Sequence, residues 1–303
     1  MDDPLSFNSI YKNKNVLITG HTGFKGSWLT LWLTELGANV IGYALNPPTE
    51  PSLFNILNLK GKITNITGDI RDENSLKRAF KLYKPEFVFH MAAQSLVRRS
   101  YIEPKYTYET NIMGTINLLE AVKETKSVRV VVIVTSDKCY ENKEWVYGYR
   151  EIDSMGGYDP YSSSKACVEL ITSAYRNSFF NLNEFEKHGV AISSARAGNV
   201  IGGGDWQVDR LIPDCIKALL KDEPINIRNP EAIRPWQFVL EPLAGYLLLA
   251  KLMYEDGVKY SASWNFGPPD NDVISVKELV SKIISYWGKG EYKVEPLLRN
   301  LHE

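Results

Sequence analysis

Hydrophobic positions along this chain fall into two alternating kinds of run. Short continuous apolar segments end abruptly in glycine, hydroxyl or acidic residues. Between them lie longer segments whose apolar positions recur at helical spacing. The first kind covers residues 15–19, 40–44, 87–90 and 130–134, and the more polar segments 63–68 and 191–197 are read as further strands. An unbroken β-branched run such as Val130-Val131-Val132-Ile133-Val134 indicates a strand buried on both faces, as in the middle of a parallel sheet. The second kind begins with Trp28, Leu29, Leu31, Trp32, Leu33 and Leu36, and Gly37 closes that helix. Asp72 is placed to cap a helix running to about Tyr83. Further helices are expected around residues 111–122, from Pro160 to about Phe180, across 243–254 and from near Ser275. Strand and helix alternate through most of the chain. That order predicts an α/β fold, a Rossmann-type doubly wound parallel sheet with a smaller C-terminal substrate lobe. Residues 1–190 should form the dinucleotide domain, with later strands returning to it, and 191–303 mainly the lobe. The lead-in before Asn15 is expected to pack Phe7 and Tyr11 on the domain surface.

The first strand runs straight into Gly20-His21-Thr22-Gly23-Phe24-Lys25-Gly26, and a helix and second strand follow. This is the context a dinucleotide fingerprint needs. One glycine makes the tight turn, one lets backbone approach a pyrophosphate, and one lets helix and strand pack closely, while the helix N-terminus offers free N–H groups. A carboxylate for the ribose 2′-hydroxyl is expected after the second strand, but Tyr43, Ala44, Leu45 and Asn46 stand there, with no arginine for a 2′-phosphate either. After the fourth strand, Met91-Ala92-Ala93-Gln94 has small residues that would let a flat cofactor lie against the backbone.

The strand at 130–134 leads into Thr135-Ser136-Asp137-Lys138-Cys139-Tyr140, placing a hydroxyl, a carboxylate and an amine in consecutive positions. Ligands bind at the carboxyl ends of parallel strands, so these groups are candidate chemistry, although a solvated loop would also explain them alone. Beyond a Gly/Tyr-rich loop at 147–158, Tyr161 and Lys165 stand at i and i+4 on one helical face. A lysine there can lower the phenol pKa and hold a nicotinamide ribose, making the phenol a general base. A surface pair has the same spacing. Farther on, the glycine-rich segment 198–206 could wrap a ligand. Arg210, Arg228 and Arg234, near Trp206, Pro235 and Trp236, suit a diphosphate and a base or sugar face, and equally a charged surface.

Composition narrows the rest. The formal net charge is -1, which gives no reason to expect a nucleic-acid partner. Cys139, Cys167 and Cys215 are scattered, with neither metal-type spacing nor a disulfide framework, so no metal is expected and a reducing cytoplasm fits. The first fifteen residues hold no signal-peptide pattern. The apolar stretch 243–254 contains Lys251 and is too short for a bilayer, so no membrane partner is expected.

Taken together, Gly20-x-x-Gly23-x-x-Gly26, Asp69-Ile70, His90-x-Ala92-Ala93-Gln94, Asn111, Ser136 and Tyr161-x-x-x-Lys165 occur in an order that resembles the extended short-chain dehydrogenase/reductase family of nucleotide-sugar enzymes. The resemblance covers nearly the whole chain. It implies an NAD cofactor held by Gly20, Thr22, Gly23, Phe24, Lys25 and Gly26, with Asp69 and Ile70 toward the adenine. Ala92, Ala93, Gln94, Asn111, Tyr161 and Lys165 would complete that site, and Gln94, Asn199, Arg210 and Arg234 would contact substrate. Within the family, an acidic residue directly after the active-site hydroxyl separates dehydratases from simple 4-epimerases, and Asp137 is such a residue. The stretches 20–28, 135–140, 196–206 and 234–237 resemble the 4,6-dehydratases acting on CDP-glucose. This implies an NAD-dependent lyase converting CDP-D-glucose to CDP-4-dehydro-6-deoxy-D-glucose, toward deoxysugars of lipopolysaccharide O-antigen, and a homodimer. By the same resemblance Tyr161 takes the C4 hydroxyl proton, Ser136 bonds the same oxygen and Asp137 protonates the departing C6 hydroxyl. Thymidine-sugar relatives have a glutamate as C5 base where Lys138 stands, so Lys138 is a base or an enolate stabiliser. The alternatives are a dehydratase or 4-epimerase of a UDP-, GDP- or dTDP-sugar, and a non-catalytic dinucleotide-sensing module. The chain stops at Leu301-His302-Glu303, short of where relatives usually end, so the lobe is expected to lack its closing segment.

Overall fold

The structure, a computed structural model, describes residues 7, 10–269 and 272–294. The expectation about the C-terminal closing segment lies outside the described residues. Seven strands form the main sheet: β1 (Asn15–Thr19), β2 (Asn39–Ala44), β3 (Thr64–Thr67), β4 (Phe87–His90), β5 (Val130–Val134), β6 (Ala191–Ala197) and β7 (Ser263–Phe266). Their spatial order is β7-β6-β5-β4-β1-β2-β3, and every ladder is parallel. Strand order reverses at β1, where Val16 faces Val40 of β2 on one side and Phe87 of β4 on the other.

Alternate side chains of the central strands feed two cores, one on each face. On β5, Val130, Val132 and Val134 join Leu29 and Leu33 of α1 (Phe24–Glu35) and Leu243, Tyr246 and Leu247, which lie on the later helix Leu240–Glu255. Val131 and Ile133 face the opposite core. There they meet Leu76 and Phe80 of α2 (Glu73–Tyr83), Leu118 and Val122 of α3 (Gly114–Lys123) and Val168 of α4 (Pro160–Ser178). Burial of each such side chain is worth about 1.5–3 kcal/mol, which explains why the strands read as continuous apolar runs. Asp72 does cap α2, accepting a 2.9 Å hydrogen bond from the Ser75 amide.

Phe7 and Tyr11 correct the sequence expectation, because they lie in the core and not on the surface. Tyr11 is fully buried, and its hydroxyl donates to the Leu247 carbonyl at 2.6 Å. Its ring lies 5.2 Å from that of Phe87, filling the end of the α1 face.

A third, smaller core assembles from Cys215 and Leu219 of α5 (Leu211–Leu220), Ile225, Ile227 and Val280 of a late helix, Val276–Trp287. Short strand pairs knit this lobe together, Ile225–Ile227 with Tyr292–Val294 and Ile233–Arg234 with Ile274–Ser275. A division at residue 190 falls just ahead of β6, which is the sheet's seventh-to-fifth link: β6 pairs with β5 on one side and β7 on the other. Among the described residues no helix is long and apolar enough to cross a membrane.

Candidate active site

The loop after β1 lies at the switch point and its glycines differ in what they permit. Gly20 has φ +75, and a Cβ there would stand 2.7 Å from the Ala92 amide nitrogen. A Cβ on Gly26 would lie 2.2 Å from the Gly20 carbonyl oxygen, so α1 could not pack against the loop. Gly23 is looser, its nearest neighbour at 3.4 Å, and it opens α1 with no side-chain cap and no acidic residue in the first turn. The result is an uncapped helix N-terminus facing the cleft, which suits an anion. Thr22 ties the loop to β2 by donating to the Leu45 carbonyl at 2.9 Å. His21, not singled out from sequence, is buried beneath Gly42 and hydrogen-bonded to Asn65 Oδ1 at 2.7 Å. Phe24 and Lys25 line the cleft. Lys25 is half-buried. Burial, then the charges of Arg210 and Lys165, lower its pKa to about 7 against the opposing pull of Asp137.

Asp69, Ile70, Ala92 and Ala93 also line the cleft. The Asp69 carboxylate is already engaged by the Arg71 guanidinium, at 2.6 Å from Nη2, and that contact holds its pKa below the usual carboxylate range. Gln94 lines the cleft too, and both Gln94 and Asn111 make hydrogen bonds within the protein. The Gln94 amide donates to the Leu96 carbonyl and Thr107 hydroxyl, both at 3.0 Å, and accepts from the Leu96 amide at 2.7 Å. These bonds shape the loop. Asn111 sits in a π-helical turn, Glu109–Met113, at the head of α3. It grips the Gln94 backbone from both sides and donates to Ser164 Oγ at 2.8 Å, so it braces the loop against α4.

Across the cleft, β5 ends in the acid–base cluster. Ser136 caps a single turn, Asp137–Cys139, accepting from the Lys138 amide at 3.2 Å. The Ser136 hydroxyl donates to Asp137 Oδ1 at 3.0 Å and lines the same cleft as the Tyr161 phenol. Gly198 leaves room for this carboxylate, since a Cβ there would stand 3.0 Å from Asp137 Oδ2. Lys138 is partly exposed on the cleft wall. Asp159 starts α4 by accepting from the Ser162 amide at 2.9 Å, with Pro160 in the first turn, and this presents Tyr161 inward.

The electrostatics differ from the sequence expectation for Tyr161. Burial pushes its pKa up to about 12, while hydrogen bonding to Ser136 and the charge of Arg210 pull it down. Lys165 is one turn away but donates to the Val134 carbonyl at 3.2 Å, and burial lowers its own pKa to about 8. The physical reason is desolvation: in this cleft it outweighs one ammonium that is turned toward the strand.

The lobe supplies the opposite wall. Asn199, Arg210 and Arg234 all line it, as do Arg98 and Arg228. Arg210 contacts Ser95 Oγ at 3.3 Å and Asp205 at 3.5 Å, while its buried Nε has no partner. Asp209 holds Arg98 at 3.2 Å and Arg228 at 3.5 Å. Arg98 was missed from sequence because it belongs to a short helix, Val97–Ile102, far from the other arginines in the chain. The cleft encloses about 1750 Å³, above the roughly 300–1,000 Å³ of a site for one small ligand. It has room for a dinucleotide and a second large ligand together.

A doubly wound sheet with a dinucleotide cradle at its switch point, faced by a Tyr–x–x–x–Lys helix, defines a short-chain dehydrogenase/reductase of the extended type. Residues 17–264 match the family model described as GDP-mannose 4,6 dehydratase, and the chain belongs to that family. It is similar to the CDP-glucose 4,6-dehydratase of Salmonella typhimurium strain LT2, with 57% identity over 280 residues, covering 92% of this chain and 78% of that protein. Among solved structures it resembles epimerase Mth375 from Methanothermobacter thermautotrophicus, with 25% identity, TM-score 0.81 and coverage of 97% of this chain and 83% of that one. It also resembles MoeE5 in complex with UDP-glucose and NAD, with 26% identity, TM-score 0.76 and coverage of 93% and 85%.

Proposed function

We propose that this protein dehydrates CDP-D-glucose to CDP-4-dehydro-6-deoxy-D-glucose, as an NAD-dependent hydro-lyase. One observation carries the reading: the Ser136 hydroxyl donates to Asp137 Oδ1 at 3.0 Å on the wall of the cleft that the Tyr161 phenol also lines. A C4 acid–base group and a carboxylate for the neighbouring carbons therefore meet at one strand end. The similarity to the Salmonella enzyme supports the same substrate.

The cradle fits NAD, because Gly20 and Gly26 fill places that no Cβ could occupy and Gly23 leaves the helix terminus open. Thr22, Gly23, Phe24 and Lys25 would hold its pyrophosphate side, Asp69 and Ile70 its adenosine end, and Ala92, Ala93 and Lys165 its nicotinamide end. When bound, NAD supplies a site that accepts the C4 hydride and gives it back at C6. Tyr161 takes the C4 hydroxyl proton. A phenol held at about 12 needs more positive charge nearby to do this at neutral pH; Arg210 supplies part, and Lys165 lies one turn away. Ser136 holds the same oxygen. Once C4 is a ketone the C5 proton is acidic, and Lys138 serves its removal, as base or by stabilising the enolate. Asp137 gives the C6 hydroxyl its proton, so the oxygen leaves as water. Asn199, Arg210 and Arg234 would bind the nucleotide sugar. The reading includes a homodimer, with exposed Leu170 on α4 as a candidate contact, and a cytoplasmic location consistent with three free cysteines.

The test is incubation of the protein and NAD with CDP-, UDP-, GDP- and dTDP-glucose, followed by mass analysis. Loss of water with gain of a ketone from CDP-glucose above the others is expected. A product of unchanged mass would make the protein an epimerase.

A further inference from the structure

A buried ion pair lies directly behind the acid–base cluster. Glu169 stands on α4 one turn beyond Lys165, and Arg196 on β6; they are 3% and 4% exposed and 2.7 Å apart. The carboxylate is saturated, accepting from Thr135 Oγ1 through one oxygen and from Ser194 Oγ at 2.7 Å, Ser263 Oγ at 3.2 Å and Arg196 through the other. Arg196 in turn donates from Nη1 to the Tyr140 hydroxyl at 2.7 Å and the Glu151 carbonyl at 3.1 Å. Tyr140 passes its own proton to Asn265 Oδ1 at 2.7 Å, just after β7's midpoint.

The two partners that matter are Thr135 and Tyr140. They are the residues on either side of Ser136, Asp137, Lys138 and Cys139. One rigid pair therefore grips both ends of the segment that carries the chemistry. Only Arg196 Nε in this network lacks a partner, and a buried network so nearly satisfied has discrete geometry and little slack. Residual freedom in the segment would show as lost rate, because small misplacement of reacting groups is costly.

We propose that Glu169 and Arg196 are positioning residues, a buried clamp that fixes the Ser136–Lys138 segment against α4 and β6 in its reactive geometry. The inference rests on the reading above that this segment carries the reaction. Neither Glu169 nor Arg196 lines the cleft, and the clamp acts through Thr135 and Tyr140. It ties the segment to β7 as well, through Asn265.

Two variants test it. Glu169→Gln breaks the pair while keeping the shape. The double variant Thr135→Val/Tyr140→Phe keeps both members of the pair and cuts its two links to the segment, together with the Tyr140–Asn265 and Thr135–Ala195 hydrogen bonds. With CDP-glucose and NAD, Glu169→Gln should lose roughly 10²-fold in kcat, with KM little changed, and the double variant should show a smaller loss of the same kind. Amide hydrogen exchange across residues 135–140 should quicken in the double variant, with exchange elsewhere in the sheet unaltered. Rescue is specific: Tyr140→Phe alone restores the Thr135 link and should recover part of the rate. If Glu169→Gln does not fold, the double variant decides. A folded double variant with wild-type kcat and unchanged exchange at 135–140 overturns the clamp. If the wild-type protein forms no ketone, the functional reading fails, and the exchange comparison still decides the clamp by itself.

Discussion

Replacing Lys165 by methionine gives a prediction that follows from burial alone. Lys165 is 6% exposed and holds one hydrogen bond, to the Val134 carbonyl. Burial lowers its pKa from 10.5 to about 8, with Glu169 and Cys139 pulling the other way. At about 1.4 kcal/mol per unit, keeping the ammonium charged in the fold costs roughly 3 kcal/mol relative to the unfolded chain. Below about pH 8 the lysine is protonated in both states, and the cost is present in full. Between about 8 and 10.5 the unfolded chain binds more protons than the fold, so stability rises with pH. Above 10.5 the lysine is neutral in both states and the cost is gone. Lys165→Met removes the charge, and with it a hydrogen bond worth about 1 kcal/mol net. At pH 7 the variant should therefore be more stable than the wild type by about 2 kcal/mol, although inactive. By pH 10.5 the order should reverse, the difference having moved by about 3 kcal/mol. Urea unfolding of both proteins across this range measures the difference directly, and groups common to both cancel. A difference that stays flat with pH refutes the argument, because the ammonium would then be solvated.

Other expectations concern the reaction and the cradle. Tyr161→Phe should lower turnover roughly 10²- to 10⁴-fold while leaving NAD affinity, read by titration, largely intact. Asp137→Asn should still oxidise C4 and then stall, so a single-turnover rise in reduced-nicotinamide absorbance persists in the variant and decays in the wild type; product release at an unaltered rate would point away from dehydration. Gly26→Ala places a Cβ 2.2 Å from the Gly20 carbonyl oxygen. It should cost about 1–3 kcal/mol of stability and weaken NAD binding, both visible by calorimetry. With Leu45 and Asn46 exposed where a ribose carboxylate is expected, preference for NAD over NADP should be modest in paired titrations, and strong rejection of NADP would mean that another group reads the 2′ position.

The strands and the dinucleotide loop were legible because their signals are local. A strand buried on both faces favours apolar residues throughout, so residues 130–134 announced themselves; 191–197 has the expected bounds although Ser193, Ser194 and Arg196 are polar, their groups being paired inside the fold. The glycine loop was legible because its shape is set by backbone sterics within a few residues. Tyr161 and Lys165 were legible because the helical repeat brings i and i+4 together.

What the sequence could not determine was which partner each side chain would face. Ser263–Phe266 is short and mixed in polarity, and becomes a strand because the edge of β6 is open to it. Gln94 and Asn111 were read as ligand groups from their positions; that their amides also pair with backbone groups of the folded loop was not legible, because those groups lie far off in sequence or depend on the loop's shape. Tyr161 has the right neighbour at the right spacing, yet its phenol is governed by burial, a property of the whole cleft. Glu169 and Arg196 are separated by 27 residues and carry no pattern; only the packing of α4 on β6 joins them. Backbone preference and hydrophobic period act over a few residues and so survive in the sequence. Pairing, desolvation and side-chain direction depend on what lies opposite, and the tertiary structure alone supplies that.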